Sequence, residues 1–206
     1  MVKRVTKTVI FDLGKVLIPF DWSRGYRAMQ AHCGLTPEQI RARIAATGLV
    51  RRFETGQMEP LDFVAQLTSL LDLNVSYERF REIWSSIFVP DPLIPESMLS
   101  GLRERYRLLL LSNTNAIHFD MVRANYPMLR HFDDFILSYE VKAMKPAPAI
   151  YQAAIEQARC KPEECFYTDD IADFVEGARR VGMDAVQFES RPQLEREMAA
   201  REIRWS

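Results

Sequence analysis

The chain has 206 residues, enough to bury a hydrophobic core and to hold one domain with an insert. It is 48% hydrophobic and carries 27 basic and 28 acidic residues, for a formal net charge of -1. This balance excludes a global electrostatic basis for binding nucleic acid or an anionic membrane surface.

The N-terminal segment predicts no targeting signal, because its apolar run before Asp12 is short and lacks a small-residue cleavage site. No stretch approaches the roughly 18 apolar residues of a membrane span. Cys33, Cys160 and Cys165 lack CxxC spacing, which argues against a disulfide framework or a zinc site. We therefore expect a cytoplasmic protein, present as a monomer or homodimer.

Five short apolar runs that end in polar residues predict the strands. They are residues 8–12, 108–112, 135–138, 165–169 and 184–188. None shows polar alternation, so we expect a sheet that is covered on both faces. Helical periodicity separates the later runs, at about 116–125, 147–158 and 173–181. This order predicts an α/β fold with a doubly wound parallel sheet.

The segment after the first strand has a different pattern. It contains no strand run, only helical periodicity, with helix starts predicted at Thr36 and Ser76. One face of a predicted helix carries the apolar residues Leu61, Val64, Leu67, Leu70 and Leu71. The residues expected in the core of this segment are Trp22, Phe53 and Trp84. We therefore predict two domains, a Rossmann-like core of residues 1–19 and 90–206 and an all-helical insert of residues 20–89.

Polar residues follow the predicted strands at the sheet edge where ligands of open parallel sheets bind. They are Asp12, the pair Ser112-Asn113, Lys145 and the pair Asp169-Asp170. A carboxylate nucleophile, hydrogen-bond donors, an ammonium group and a carboxylate pair suit phosphoryl transfer. A divalent cation between the carboxylates would reduce their repulsion of a phosphate, and hard oxygen ligands favour Mg²⁺.

The segments that contain these residues resemble four motifs of the haloacid dehalogenase-like (HAD) superfamily. In chain order they are residues 9–17, 111–115, 144–151 and 166–183. The helical insert is similar to the cap of subfamily I of that superfamily. The resemblance covers nearly the whole chain and implies a Rossmann-like core under a helical cap.

The resemblance also implies the catalytic roles. Asp12 would be the nucleophile, which forms an aspartyl-phosphate that water later hydrolyses. Lys145 would hold both the phosphate and the Asp12 carboxylate, while Ser112, with Asn113, would donate hydrogen bonds to the phosphate.

The metal site implied by the resemblance would hold Mg²⁺ through four groups. They are Asp12, the backbone carbonyl of Gly14, Asp170 and Asp169.

Three positions depart from the superfamily pattern. Gly14 stands where most of its phosphatases carry a second aspartate, the general acid and base, whose help is typically worth about 10²–10⁴-fold. A branch resembling bacterial sugar-1-phosphate phosphatases also has glycine there, so we expect a preference for leaving groups that need little protonation. Phe174 stands where that branch often has asparagine, and Lys142 stands where glycine is usual.

The predicted function is that of a magnesium-dependent phosphatase acting on a small phosphorylated metabolite, such as a sugar phosphate. One alternative is a metal-independent haloacid dehalogenase, which the pair Asp169-Asp170 disfavours. The other is an impaired relative that binds a phosphate ligand or a partner protein, which Gly14 and Phe174 keep open. Candidate substrate contacts are Arg52, Glu54, Gln57 and His118, the last equally explained as a satisfied surface histidine.

Overall fold

The computed structural model describes residues 5–205, and its centre is a five-stranded parallel sheet. The strands are β1 (Thr8–Phe11), β2 (Arg107–Ser112), β3 (Asp134–Leu137), β4 (Cys165–Asp169) and β5 (Asp184–Gln187). Their spatial order is β3-β2-β1-β4-β5, and every neighbouring pair is parallel. The predicted sheet is confirmed, with each strand within one residue of the expected ends.

Eleven α-helices accompany the sheet in residues 5–205. They are α1 (Trp22–Gln30), α2 (Pro37–Ala45), α3 (Leu49–Glu54), α4 (Pro60–Leu71), α5 (Tyr77–Ser85), α6 (Glu96–Arg103), α7 (Ala116–Asn125), α8 (Ser138–Val141), α9 (Pro148–Ala158), α10 (Ala172–Arg180) and α11 (Arg191–Ala200). Among these described segments, none is long and apolar enough to cross a membrane.

Both faces of the sheet are covered because its strands are apolar on both sides. Alternate residues such as Val9 and Phe11 face a core formed with α6, α7 and α11. Their neighbours, such as Ile10, face a second core formed with α9 and α10. Residues 107–112 show why no polar alternation is present, since every position from Leu108 to Ser112 is buried. The doubly wound arrangement is therefore the one that hides both faces.

The five helices α1–α5 lie between β1 and β2 in the chain and share a core of their own. Thr36 and Gln39 form a capping box at the start of α2, and Ser76 accepts a hydrogen bond from the Arg79 N–H at the start of α5. Both predicted helix starts are therefore confirmed. The proposed division at residues 20 and 89 stays a prediction.

The predicted apolar face of α4 is wrong at one residue, Leu61. The Leu61 side chain is 67% exposed, whereas Phe63 is fully buried and stacks on Phe53 with ring centroids 4.2 Å apart. The helix begins at Pro60, so Leu61 lies in its first turn and turns outward. The buried stripe instead runs through Phe63, Val64, Leu67 and Leu71.

Candidate active site

The Lys145 side chain joins two of the predicted acidic residues at the carboxyl edge of the sheet. Its Nζ atom lies 2.6 Å from Asp12 Oδ1 and 2.6 Å from Asp169 Oδ2, and it also donates to the Leu111 carbonyl at 3.1 Å. All three charged residues are buried. Because a buried charge is costly without a partner, this ammonium and the two carboxylates stabilise one another.

Strand pairing brings these residues together. Asp12 directly follows β1, and its N–H donates to the Thr168 carbonyl of β4 at 3.0 Å. Asp169 ends β4, so the two carboxylates lie side by side on adjacent strands. The described acidic residues Asp12, Asp169 and Asp170 each offer an oxygen atom within 4.8 Å of the others. The sheet edge thus gathers the three carboxylates that the sequence suggested.

Asn113 positions Lys145 through two hydrogen bonds to its backbone. The Asn113 Oδ1 atom accepts from the Lys145 N–H at 2.8 Å, and the Asn113 Nδ2 group donates to the Lys145 carbonyl at 3.1 Å. Both ends of the carboxamide are therefore occupied. The sequence did not reveal this positioning role, and phosphate binding by Asn113 stays a prediction.

The two acidic residues after β4 have different surroundings. Asp169 is fully buried: its Oδ1 atom accepts from the Ile171 N–H at 2.9 Å, and its Oδ2 atom accepts from Lys145 and from the Tyr167 hydroxyl. Asp170 is only partly buried. Since both Asp169 oxygens are already engaged, Asp170 is the more available ligand for a cation.

Burial and charge set the ionisation of the cluster. Burial raises the pKa of Asp12 to about 7, although the neighbouring Lys145 opposes this shift and Asp169 adds to it. Burial, and then the charge of Asp169, also raise the pKa of Asp170. Burial disfavours the charged form of Lys145, but the two carboxylates outweigh it and raise its pKa. Three crowded carboxylates facing one ammonium group favour the arrival of a further cation.

Gly14 leaves no room for a side chain while the Phe20 ring keeps its present position. A Cβ atom at this position would lie 2.6 Å from Cε1 of the Phe20 ring, well inside van der Waals contact. The aromatic ring thus fills the space beside the backbone where most superfamily phosphatases would carry their second aspartate. A side chain at position 14 would therefore require the Phe20 ring to move.

Phe174 contacts the site through its aromatic ring. The Lys145 Nζ atom lies 5.1 Å from the centre of that ring, within the range of a cation–π interaction. Sequence reasoning treated Phe174 only as the loss of a polar group, and it did not single out Tyr167. The signal for Tyr167 was available in the sequence, since it lies two residues before Asp169 and therefore on the same face of β4.

The other candidate residues differ in how far their side chains are exposed to solvent. Ser112 is buried at the end of β2, as a phosphate donor there would be. Lys142 is exposed with a φ of +59°, which explains why glycine is usual at this position. Arg52 and Gln57 are exposed, whereas Glu54 is partly buried.

His118 is buried, so the expectation of a surface histidine is wrong, and its ring is hydrogen-bonded within the protein. Its Nδ1 atom is 3.1 Å from Asn115 Nδ2, and its Nε2 atom is 3.0 Å from the Trp84 carbonyl. Because Asn115 Oδ1 accepts from the His118 backbone N–H, its Nδ2 group is the donor to the ring. The imidazole is therefore neutral with its proton on Nε2, and burial lowers its pKa to about 4.

Comparison with known proteins shows which family the chain resembles. A family profile described as haloacid dehalogenase-like hydrolase matches residues 6–182. The chain is 27% identical to a D-ribitol-5-phosphate phosphatase of Bacteroides thetaiotaomicron, over 89% of this chain and 92% of the relative. It is 30% identical to a phosphatase of Mycobacterium tuberculosis, over 86% of this chain and 84% of the relative.

One solved structure is similar to this chain over most of its length. It is a HAD family enzyme of Bacteroides thetaiotaomicron in complex with magnesium and inorganic phosphate, with a TM-score of 0.80 and 30% identity, covering 90% of this chain and 96% of that one. The fold, the acidic cluster with its lysine and these matches together define a hydrolase. The chain belongs to the haloacid dehalogenase-like hydrolase family.

Proposed function

We propose that this protein is a magnesium-dependent phosphatase that acts on a small phosphorylated metabolite through an aspartyl-phosphate on Asp12. The observation that carries this proposal is the set of three carboxylates, Asp12, Asp169 and Asp170, whose oxygens lie within 4.8 Å of one another beside Lys145. The two curated relatives are named phosphatases, and the similar solved structure holds magnesium and phosphate.

The residues present fit a magnesium ion. Asp12 and Asp170 would ligate it directly with the backbone carbonyl of Gly14, and Asp169 would complete the acidic set. All are hard oxygen donors, and their negative charge exceeds that of the one ammonium group. When bound, the ion would offset the repulsion between the Asp12 carboxylate and the phosphate.

The chain's own residues supply the remaining parts of the mechanism. Lys145 fixes the Asp12 carboxylate through its 2.6 Å contact and holds it ready for in-line attack on phosphorus. The same ammonium group would offset the charge of the transferring phosphoryl group. Ser112, buried at the end of the neighbouring strand, would donate a hydrogen bond to a phosphate oxygen.

We further propose that the substrates are sugar or polyol phosphates and that the protein acts in the cytoplasm. The named relative that acts on D-ribitol 5-phosphate supports this substrate class. The three cysteines are free thiols, which suits a reducing compartment. The helical segment of residues 20–89 would act as the cap over the site and select the leaving group.

The test replaces the nucleophile without changing its size. Asp12→Asn should lower the kcat of magnesium-dependent p-nitrophenyl phosphate hydrolysis by about 1,000-fold or more, because a carboxamide cannot form the aspartyl-phosphate. The matched control is Asp120→Asn, an exposed aspartate on α7, which should retain wild-type activity. Equal activity of Asp12→Asn and wild type would overturn the proposal, as would chloride release from haloacids without metal.

A further inference from the structure

The ammonium group of Lys145 has more acceptors around it than hydrogens to donate. Its Nζ atom lies 2.6 Å from Asp12 Oδ1 and 2.6 Å from Asp169 Oδ2. It also lies 3.1 Å from the Leu111 carbonyl oxygen and 3.3 Å from the Tyr167 hydroxyl oxygen. A lysine ammonium group has three hydrogens, so the two carboxylates and the carbonyl already account for all of them. A bond to a phosphoryl oxygen, which the proposed function requires, must therefore replace one of these contacts.

Asp169 is the acidic residue of the cluster that can least afford to lose a partner. It is fully buried, and its Oδ1 atom is engaged by the Ile171 N–H. Its Oδ2 atom accepts from Lys145 and from the Tyr167 hydroxyl. A buried carboxylate oxygen without a donor is costly. A second donor at Oδ2 therefore allows the lysine to turn away without leaving this oxygen unpaired.

The Tyr167 hydroxyl is that second donor. Because an ammonium group can only donate, the hydroxyl accepts from Lys145 and gives its own hydrogen to Asp169. Burial, and then the charges of Asp169 and Asp12, raise the pKa of Tyr167 well above its usual range, so the phenol keeps this hydrogen. Lys145, Asp169 and Tyr167 thus form a closed triangle of hydrogen bonds.

The hydroxyl of Tyr167 is not needed for packing. The residue lies on β4 opposite Ile10 of β1, and its ring meets the Tyr151 ring edge to face, with centroids 6.3 Å apart. Most side chains in the core on this side of the sheet are aliphatic. A phenylalanine ring would fill the same space. The oxygen at the end of the ring therefore serves the polar contacts with Asp169 and Lys145.

Two aromatic rings hold the ammonium group at the sheet edge. The Lys145 Nζ atom lies 5.1 Å from the centre of the Phe174 ring and 5.9 Å from the centre of the Tyr167 ring. Both distances lie within the range of a cation–π interaction. The Tyr151 hydroxyl donates to the Phe174 carbonyl at 2.8 Å, which ties Phe174 to α9. These contacts favour a turn of the ammonium group in place over withdrawal of the side chain.

We propose that Tyr167 is a positioning residue of the phosphatase reaction, an inference that rests on the proposed function. As substrate binds, Lys145 turns one hydrogen from Asp169 to a phosphoryl oxygen, and the Tyr167 hydroxyl stays on Asp169 Oδ2. The lysine keeps its contact with Asp12, which holds the nucleophile in place. Tyr167 thus acts through Asp169 and Lys145 and does not itself touch the substrate.

The test removes one oxygen atom and keeps the ring. Tyr167→Phe should lower kcat/KM for p-nitrophenyl phosphate about 10-fold and raise the Ki of inorganic phosphate about 10-fold, the effect expected for one hydrogen bond to a charged group. The reason is that Asp169 then retains the ammonium group. Ki is measured with magnesium present, by competition with p-nitrophenyl phosphate. It does not depend on the amount of folded enzyme, so a variant that merely folds less well keeps the wild-type Ki.

The matched control is Tyr126→Phe, which also loses one tyrosine hydroxyl. That hydroxyl donates to the Val89 carbonyl at 3.0 Å and, within residues 5–205, makes no bond to Lys145 or the acidic cluster. Both kinetic parameters should therefore stay at their wild-type values in the control.

The inference requires both changes in Tyr167→Phe. It is wrong if either parameter keeps its wild-type value there, or if Tyr126→Phe shows the same two changes. Wild-type turnover that Asp12→Asn abolishes establishes the phosphatase separately, so the proposed function can stand while the role of Tyr167 fails. A wild type without magnesium-dependent turnover would overturn both.

Discussion

The backbone conformation of Lys142 explains why glycine is usual at this position in the superfamily. Its φ of +59° lies in the left-handed region, which costs an L-residue about 1–2 kcal/mol, and its side chain is exposed. Lys142→Gly should therefore raise the free energy of unfolding by about 0.5–1 kcal/mol, measured as a higher urea midpoint at constant slope. Lys161→Gly is the control, because Lys161 has a φ of -71° and should lose stability instead. A gain in both variants would contradict this explanation.

At the residue scale, the sequence predicted where side chains meet better than what each one does. Asp12, Lys145 and Asp169 come together because they stand at or after strand ends on one edge of the sheet, and the apolar runs predicted where the strands end in the chain. The bonds of Asn113 to the Lys145 backbone depend on side-chain direction. No periodic pattern encodes that direction. For the same reason, the contact of Phe174 with Lys145 could not be predicted from the sequence.

At the element scale, His118 connects α7 to the end of α5. Its Nε2–H group donates to the Trp84 carbonyl while Asn115 donates to Nδ1, so a proton on Nδ1 would break this network. The ring is also surrounded by Trp22, Trp84 and Phe88. The contact between the two helices therefore depends on a neutral imidazole.

Acid should weaken this contact. The folded-state pKa of His118 is about 4, below the ordinary histidine value of 6.5, so the unfolded chain binds more protons between these values. This contribution to stability is complete above about pH 6.5 and is lost as pH falls toward 4, up to about 3 kcal/mol. Urea unfolding at about pH 8 and about pH 5 should show a smaller loss in His118→Gln than in wild type. Equal losses of stability in the variant and the wild type would contradict this prediction.

Elements with strong local signals were predictable, and those set by packing were not. Thr36 with Gln39 and Ser76 mark helix starts through capping, which is local chemistry. Leu61 was misplaced because its apolar character suits the buried stripe, whereas its place in the first turn of α4 points it outward. The register of a helix against its neighbours is a tertiary property, so periodicity alone left it undetermined.

At the scale of the whole molecule, the order of the parts along the chain could be predicted from the sequence, but the contact of α3 with α8 could not. The contact of Gly56 with Tyr139 joins residues far apart in the chain, and neither has a distinctive pattern. The contact between the helical segment and α8 is therefore a property of the packed chain that no local pattern predicts.

The acidic cluster also links metal binding to the stability of the whole fold. Asp12, Asp169 and Asp170 converge only in the folded chain, so an ion held there binds the native state alone. At 100 times its Kd, magnesium should add about 2.7 kcal/mol, which for a chain of this size raises Tm by about 5–10 °C. Calorimetry with magnesium and with EDTA measures this shift. Asp170→Asn should abolish most of it, whereas Asp173→Asn, an exposed aspartate on α10, should retain it. An equal shift in both variants would place the ion elsewhere.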